Sequence, residues 1–284
     1  MLYHHPYSLD SQKVRLALEE KGIDYTSYHV NPITGKNMDS SFFRMNPSGK
    51  LPVFKNGAHI IFSTIEIIQP WNLLSLKLFL AILSLSPPNL QIVAYFILFE
   101  IDHLNSYDDV NAGGDNIPFS GREVVDWMQK IQDWNPKFFT LSHIPEKYRF
   151  YVSKFIRRVV ISRMAEHPDL AGAYHQKLRE AYETEDKLKN QDVLRRSKEH
   201  LIRLLDEVET QLNETEYIAG EEFSMADVML IPVLARLVLL NLEDEYISSR
   251  PNIAKYWIWV QQRPSYKKVI GKYFDGWRRS QLTE

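Results

Sequence analysis

The sequence predicts a small α/β domain followed by a larger all-helical domain. Three observations predict it. The first 70 residues alternate short strand-like runs with short helical ones. Within them, Asn56-Gly57 separates two apolar runs in the manner of a tight hairpin. From residue 117 onward, apolar residues recur at helical spacing without a strand signal between them. A chain of 284 residues is long enough for two ordinary domains.

Leu2 and Tyr3 open the first strand. From Val14 the pattern turns helical: Val14, Leu16, Ala17 and Leu18 are apolar, and Gly22 supplies a stop. This helix is expected to start near Gln12 with Asp10 or Ser11 as its cap, which leaves Ser8 too far ahead for capping. Tyr25 to Val30 alternates as a strand. Asp39 to Met45 reads as a short helix that Asn46-Pro47 ends. Val53-Phe54 and His59-Ile60-Ile61 form the hairpin, and a last helix runs from Thr64 to Gln69. The order is β-α-β-α-β-β-α, a mixed sheet with helices packed on it.

Residues 71–116 differ in composition. Leu73 to Ile101 contains two charged residues, Lys77 and Glu100, and is broken by Ser86-Pro87-Pro88-Asn89. Neither half reaches the roughly 20 apolar residues of a membrane-spanning helix. Two readings stand: an apolar flap that meets a membrane or partner, or translated intron sequence, the reading preferred here. Beyond it, Ser120 to Glu123 forms a capping box with Phe119 and Val124 as a staple. Helices follow over Tyr151 to Met164, Asp169 to Leu188 and the run through Leu201, Leu205 and Leu212. Ser224 to Asp227 caps another, with Phe223 placed to staple onto Val228, and Pro251 opens one that ends before Pro264.

Hydrophobic residues make up 44% of the chain, charged residues 25%, and the formal net charge is −2. That balance suits a globular protein and gives nucleic acid no electrostatic purchase. The absence of cysteine excludes disulfides, thiolate metal sites and a cysteine nucleophile, and it suits a reducing, cytoplasmic setting. Histidines show no metal-type spacing, so no metal is expected. The first residues, MLYHHPYSLD, lack the basic-then-apolar order of a secretory signal.

Three short stretches carry candidate chemistry. In YHHPYSLDSQKVRLAL, hydroxyls and an acid crowd the start of a helix. They either cap it redundantly, or one hydroxyl donates to an anion there. In NPSGKLPVF, Pro52 enters a strand, which suits an ordinary edge proline or, with a cis bond, an edge that turns the Leu51 backbone toward an extended peptide. In STIEII, Ser63 and Thr64 precede a helix whose free amides either take a plain cap or hold a carboxylate.

Together with EYIAGEEFSMADVMLIPVL, these stretches resemble a glutathione transferase, and among its classes the plant one named after tetrachlorohydroquinone dehalogenase. The resemblance covers about residues 1–69 and 115–279. It implies a thioredoxin-like domain over 1–70, the anomalous segment 71–116 and an all-α domain over 117–284, with glutathione as co-substrate. It further implies Ser8 as the catalytic hydroxyl, with Ser11 in reserve. Leu51 and Pro52 would meet the cysteinyl backbone of glutathione, Thr64 its γ-glutamyl carboxylate, and Lys50 its glycyl carboxylate. Ser63 stands where the family usually has an acid or amide. Tyr7, Trp127 and Ile131 would border the pocket of a small electrophile, although an aromatic stripe at helical spacing is more often core.

Related dehalogenases carry a cysteine two residues past the serine. Here that position is Asp10. The implied chemistry is therefore thiolate attack on an electrophile or peroxide, without thiol exchange through the protein. The family also implies a cytoplasmic homodimer, with membrane contact only if residues 71–116 are expressed. A second resemblance, through HPDLAGAYHQKLREAYETEDKL and LLDEVETQL, is to the ganglioside-induced differentiation-associated proteins. It would imply a non-catalytic binding or interaction module.

Overall fold

The computed structural model describes residues 1–68 and 121–274. The expectations for Gln69 and Pro70, the apolar run 71–116, the Phe119 staple, the Ser120 cap and the GWRRSQLTE tail lie outside the described residues.

The first domain contains β1 (Leu2–His4), α1 (Leu9–Glu20), β2 (Ser27–His29), α2 (Ser40–Met45), β3 (Val53–Asn56), β4 (His59–Ile61) and α3 (Thr64–Ile68). The sheet order is β2-β1-β3-β4. β1 pairs parallel with β2 in the register Leu2↔Ser27 and antiparallel with β3 in the register Leu2↔Phe54. The β3–β4 hairpin pairs Phe54 with Ile61. β2 is shorter than Tyr25 to Val30, because it is an edge strand with three exposed residues and only one neighbour to pair with.

Alternation along the strands assigns the two sheet faces. Leu2, Phe54 and Ile61 join the main core with Val14, Leu16 and Ile67 of α1 and α3. Tyr3, Val53 and Ile60 turn the other way, onto Val30, Phe42 of α2 and Leu51.

The helical domain begins with α4 (Arg122–Asp133), α5 (Pro136–Ser142), α6 (Glu146–Arg149), α7 (Tyr151–Glu166), α8 (Ala171–Lys189) and α9 (Gln191–Glu214). It continues with α10 (Met225–Leu239), α11 (Pro251–Val260) and α12 (Pro264–Tyr266), the last followed by a wide turn over Lys267–Gly271. α10 is buried on nearly every side, as an all-round apolar helix must be, and it packs against both α1 and α4. The main core therefore runs without interruption from the sheet into the helices.

The α7–α8 pair forms a second bridge to the first domain. Gly35 has φ +77°, and a Cβ there would sit 3.0 Å from Val159, so α7 packs directly on backbone. Phe43 stacks on Tyr174 with centroids 4.3 Å apart, and Tyr174 Oη donates to the Met38 carbonyl at 2.9 Å. Lys177 Nζ donates to the Ser48 carbonyl at 2.5 Å, just before the Lys50-Leu51-Pro52 turn.

Candidate functional site

The start of α1 corrects one expectation. The helix begins at Leu9, not near Gln12, and Ser8 is itself the N-cap. Leu9 is buried in the main core, so the apolar face extends farther toward the N-terminus than the pattern from Val14 indicated. Ser8 Oγ accepts the Ser11 amide at 3.3 Å, and the Ser8 carbonyl accepts the Gln12 amide at 2.9 Å. A capping hydroxyl uses a lone pair, and its own proton stays available to a further acceptor. Ser8 is half-buried, at the positive end of a twelve-residue helix. Asp10 and Ser11 are not caps, since they lie inside the first turn. Ser11 is fully buried, and its Oγ accepts the His5 amide at 3.4 Å, which turns this hydroxyl back into the loop.

The loop ahead of Ser8 is held from several directions. Ser8 N–H donates to the His5 carbonyl at 3.1 Å, and Gln12 Nε2 donates to the Pro6 carbonyl at 2.8 Å. Arg236 Nη2, from α10, donates to the Tyr7 carbonyl at 2.5 Å. Tyr7 is half-buried, with its hydroxyl directed to the Tyr273 carbonyl at 3.4 Å. Lys13 is buried and donates to Gln132 Oε1 of α4 at 2.9 Å, with Asp10 at 3.4 Å. Burial lowers the Lys13 pKa against the pull of Asp10, and burial lowers that of Arg236 to about 10. His5 is held below its ordinary range by burial and then by His29.

The Leu51–Pro52 bond is cis, and both residues are buried one step ahead of the β3 ladder. Asn46 shapes the approach: its Nδ2 donates to the Lys50 carbonyl at 3.0 Å, and its Oδ1 accepts the Ser48 amide at 3.2 Å. Lys50 is exposed. At α3, Ser63 Oγ accepts the Glu66 amide at 3.4 Å, a capping contact, and Thr64 is the buried first residue of the helix.

Of the two readings of the α4 stripe, pocket wall and core, Ile131 takes the core one. Ile131 is 0% exposed in the main core, so it borders no open pocket. Trp127 is buried beside it, with Lys130 Nζ 4.6 Å from its ring centroid. The cleft that reaches Trp127 is lined by charged groups of α4 and α9, Glu123, Asp126, Asp133 and Glu214 among them. α4 turns its 124–127–128–131 stripe onto α10, and that contact consumes the apolar face.

Arg236 and Lys13 were not singled out from the sequence. A signal for Arg236 was present, since apart from the capping Asp227 it is the only ionisable residue of MADVMLIPVLARLVL. Among the described residues, no group of three His, Cys, Asp or Glu is placed to hold a metal ion. Among them, too, no helix is long and apolar enough to cross a membrane.

Comparisons with known proteins show the family and the fold. Residues 7–69 match the family model described as glutathione S-transferase, N-terminal domain, and residues 191–256 match the C-terminal domain of the same family. The chain is 63% identical over 278 residues to glutathione S-transferase TCHQD of Arabidopsis thaliana, covering 98% of this chain and 92% of that one. It is 25% identical over 270 residues to the tetrachloro-p-hydroquinone reductive dehalogenase of Sphingobium chlorophenolicum, covering 94% and 93%. The crystal structure of glutathione transferase F7 from Populus trichocarpa superposes with a TM-score of 0.56 at 19% identity, covering 94% of this chain and 96% of that one, and speaks for the fold. With a thioredoxin-like sheet, a serine-capped first helix and a near-full-length relative at this identity, the chain belongs to the glutathione S-transferase family.

Proposed function

We propose that the protein is a serine-type glutathione transferase, in which Ser8 holds and activates the glutathione thiolate. The observation that carries this reading is the N-cap geometry of Ser8: its oxygen is engaged by the Ser11 amide and its proton is left for an incoming anion. A thiolate at that point would accept from the hydroxyl and meet the positive end of α1. Both effects favour the charged form of the thiol. A free thiol of pKa about 8.5 is only a few per cent ionised at pH 7, and a two-unit decrease, worth about 2.7 kcal/mol, ionises most of it.

The remaining subsites follow from the resemblance. The Leu51 backbone before Pro52 pairs with the cysteinyl residue, the α3 N-terminus at Thr64 takes the γ-glutamyl carboxylate, and Lys50 faces the glycyl carboxylate. Because Ser63 caps α3 where the family has an acid or amide, the γ-glutamyl ammonium lacks that counter-charge. In the reaction, a sulfur–carbon bond forms to the electrophile while the leaving group departs with its bonding pair. The chain has no cysteine to resolve a glutathionyl intermediate, so conjugation or peroxide attack fits it better than reductive dehalogenation. The fold family's habit supports a homodimer, and the cysteine-free composition suits the cytoplasm.

The test is conjugation of 1-chloro-2,4-dinitrobenzene by the purified chain beside Ser8→Ala. If Ser8 lowers the thiol pKa by two units, kcat/KM falls up to roughly 25-fold at pH 7 in the variant, and the deficit closes toward pH 9 as the unassisted thiol ionises by itself. Equal activity at pH 7 would remove Ser8 from this role. Failure of the unsubstituted protein to be retained on immobilised glutathione would favour a non-catalytic module instead.

A further inference from the structure

The carbonyls of residues 5, 6 and 7 each have a separate donor. His5 is taken by the Ser8 amide, Pro6 by the Gln12 side chain, and Tyr7 by Arg236. The first two donors belong to the same turn. The third comes from α10, in the helical domain, more than 200 positions along the chain.

The Tyr7 carbonyl and the Ser8 amide share one peptide plane. That plane is gripped at both ends, by Arg236 Nη2 at 2.5 Å on the oxygen and by the His5 carbonyl at 3.1 Å on the nitrogen. Its tilt sets the backbone of Ser8, which adopts φ −78° and ψ 120° at the cap. Arg236 is itself tethered by a second nitrogen, Nη1, to Thr140 Oγ1 of α5 at 3.4 Å. A guanidinium fork can bridge two such acceptors, whereas a lysine ammonium on a flexible stem is a point donor.

We propose that Arg236 is a positioning residue: by holding the Tyr7 carbonyl, it fixes the direction in which Ser8 presents its hydroxyl. The proposal rests on the reading of Ser8 given above. It makes the catalytic turn depend on the helical domain, because α1 and its loop do not supply this donor themselves. The charged and titratable groups around the turn are His5, Asp10 and Lys13 on its own segment, Arg236 from α10 and Tyr273 beside Tyr7. Lys13 stands 3.4 Å from Asp10, so that carboxylate already has a partner of its own.

The test uses Arg236→Lys and Arg236→Met in the full chain, each also combined with Ser8→Ala. In the unsubstituted Ser8 background at pH 7, kcat/KM is expected to fall about fivefold for the lysine variant and toward the roughly 25-fold of Ser8→Ala for methionine, since a misaimed hydroxyl can lose no more than a missing one. In the Ser8→Ala background, the same substitutions should change kcat/KM by less than about twofold, since no hydroxyl remains to be aimed. Equal losses in both backgrounds would mean a merely structural role and would overturn the proposal. Hydrogen exchange provides a readout that needs no turnover. Amides of residues 5–12 should exchange faster in Arg236→Lys while those of α8 keep their protection. Unchanged exchange across the turn would also overturn it. If the unsubstituted protein neither binds glutathione nor conjugates, the functional reading fails, and the exchange experiment alone then decides the part played by Arg236.

Discussion

His4 lies on β1 with its ring buried, and its Nε2 is 2.5 Å from Ser27 Oγ across the β1–β2 ladder. Nδ1 is buried and makes no hydrogen bond among the described residues. Burial lowers its pKa to about 3, with Arg15, His29, His5 and Lys272 adding repulsion. The unfolded chain takes up this proton near pH 6.5, whereas the folded one refuses it until about pH 3. Between those values the unfolded state binds more protons, so the contribution of His4 is intact above pH 6.5 and is lost progressively as the pH falls toward 3. His4→Gln removes that titration and leaves His5 in place. Urea unfolding at pH 7.5, 6 and 4.5 should therefore show the wild-type advantage over the variant shrinking with acidity. A difference that stays constant across the series would mean that His4 is not held neutral.

At the scale of an element, α10 shows how a local signal anchors a buried helix. Ser224 caps it, and Asp227 closes the box: Oδ2 accepts the Ser224 amide and hydroxyl, both at 2.8 Å. The other oxygen, Oδ1, accepts the Ile218 amide at 3.2 Å and the Tyr256 hydroxyl at 2.9 Å, which ties α10 to α11. Burial pushes this carboxyl above its ordinary range, and the four donors pull it back. Asp227→Ala leaves those donors enclosed without an acceptor. It should lower the urea-derived stability by about 3 kcal/mol, whereas Tyr256→Phe, which removes a single donor, should cost about 1 kcal/mol. A loss below 1 kcal/mol for the alanine variant would show that α10 is held by apolar packing alone. The Ser224–Asp227 box was legible in the sequence because cap and partner are three residues apart. So were the β3–β4 turn and the order of elements, which are also local. The start of α1 was not legible, because Leu9 gains its meaning only from the core that covers it. The stripe on α4 did announce the buried face that takes Trp127 and Ile131, but nothing local named α10 as what buries it. The Ser8, Leu51 and Thr64 stretches could be picked out by residue type and order, but the Arg236 contact joins positions 229 apart and no local pattern marks it.

At the scale of the molecule, the two domains share one core, and polar ties close its margin. Arg263 grips Glu20 with two nitrogens, at 2.8 and 2.7 Å, and Ser265 Oγ donates to the same carboxylate. Lys268 pairs with Glu19 at 2.6 Å, and Arg15 reaches the Val269 carbonyl at 3.3 Å. On the far side, Arg163 meets Asp39 at 2.5 Å and Arg44 meets Asp169. Arg44–Asp169 is exposed and contributes little, whereas Arg163–Asp39 is partly covered. Glu20 is more enclosed, and Arg263 is also seated over the Phe223 ring at 3.7 Å from its centroid. Glu20→Ala should therefore cost about 1–3 kcal/mol, the range for charged hydrogen bonds. Because the main core crosses from α1 into α10 without a break, that loss should shift one transition and not split it. Trp127, Trp134, Trp257 and Trp259 stand in the helical domain and none occurs in residues 1–68, so with Trp71 and Trp277 replaced by phenylalanine the fluorescence follows the helical domain, while amide exchange in β1 and β3 follows the sheet. Coincident loss of both signals in the variant is expected. A sheet that melts ahead of the tryptophan signal would show that the first domain is only docked on the second, with Glu20 as its clasp.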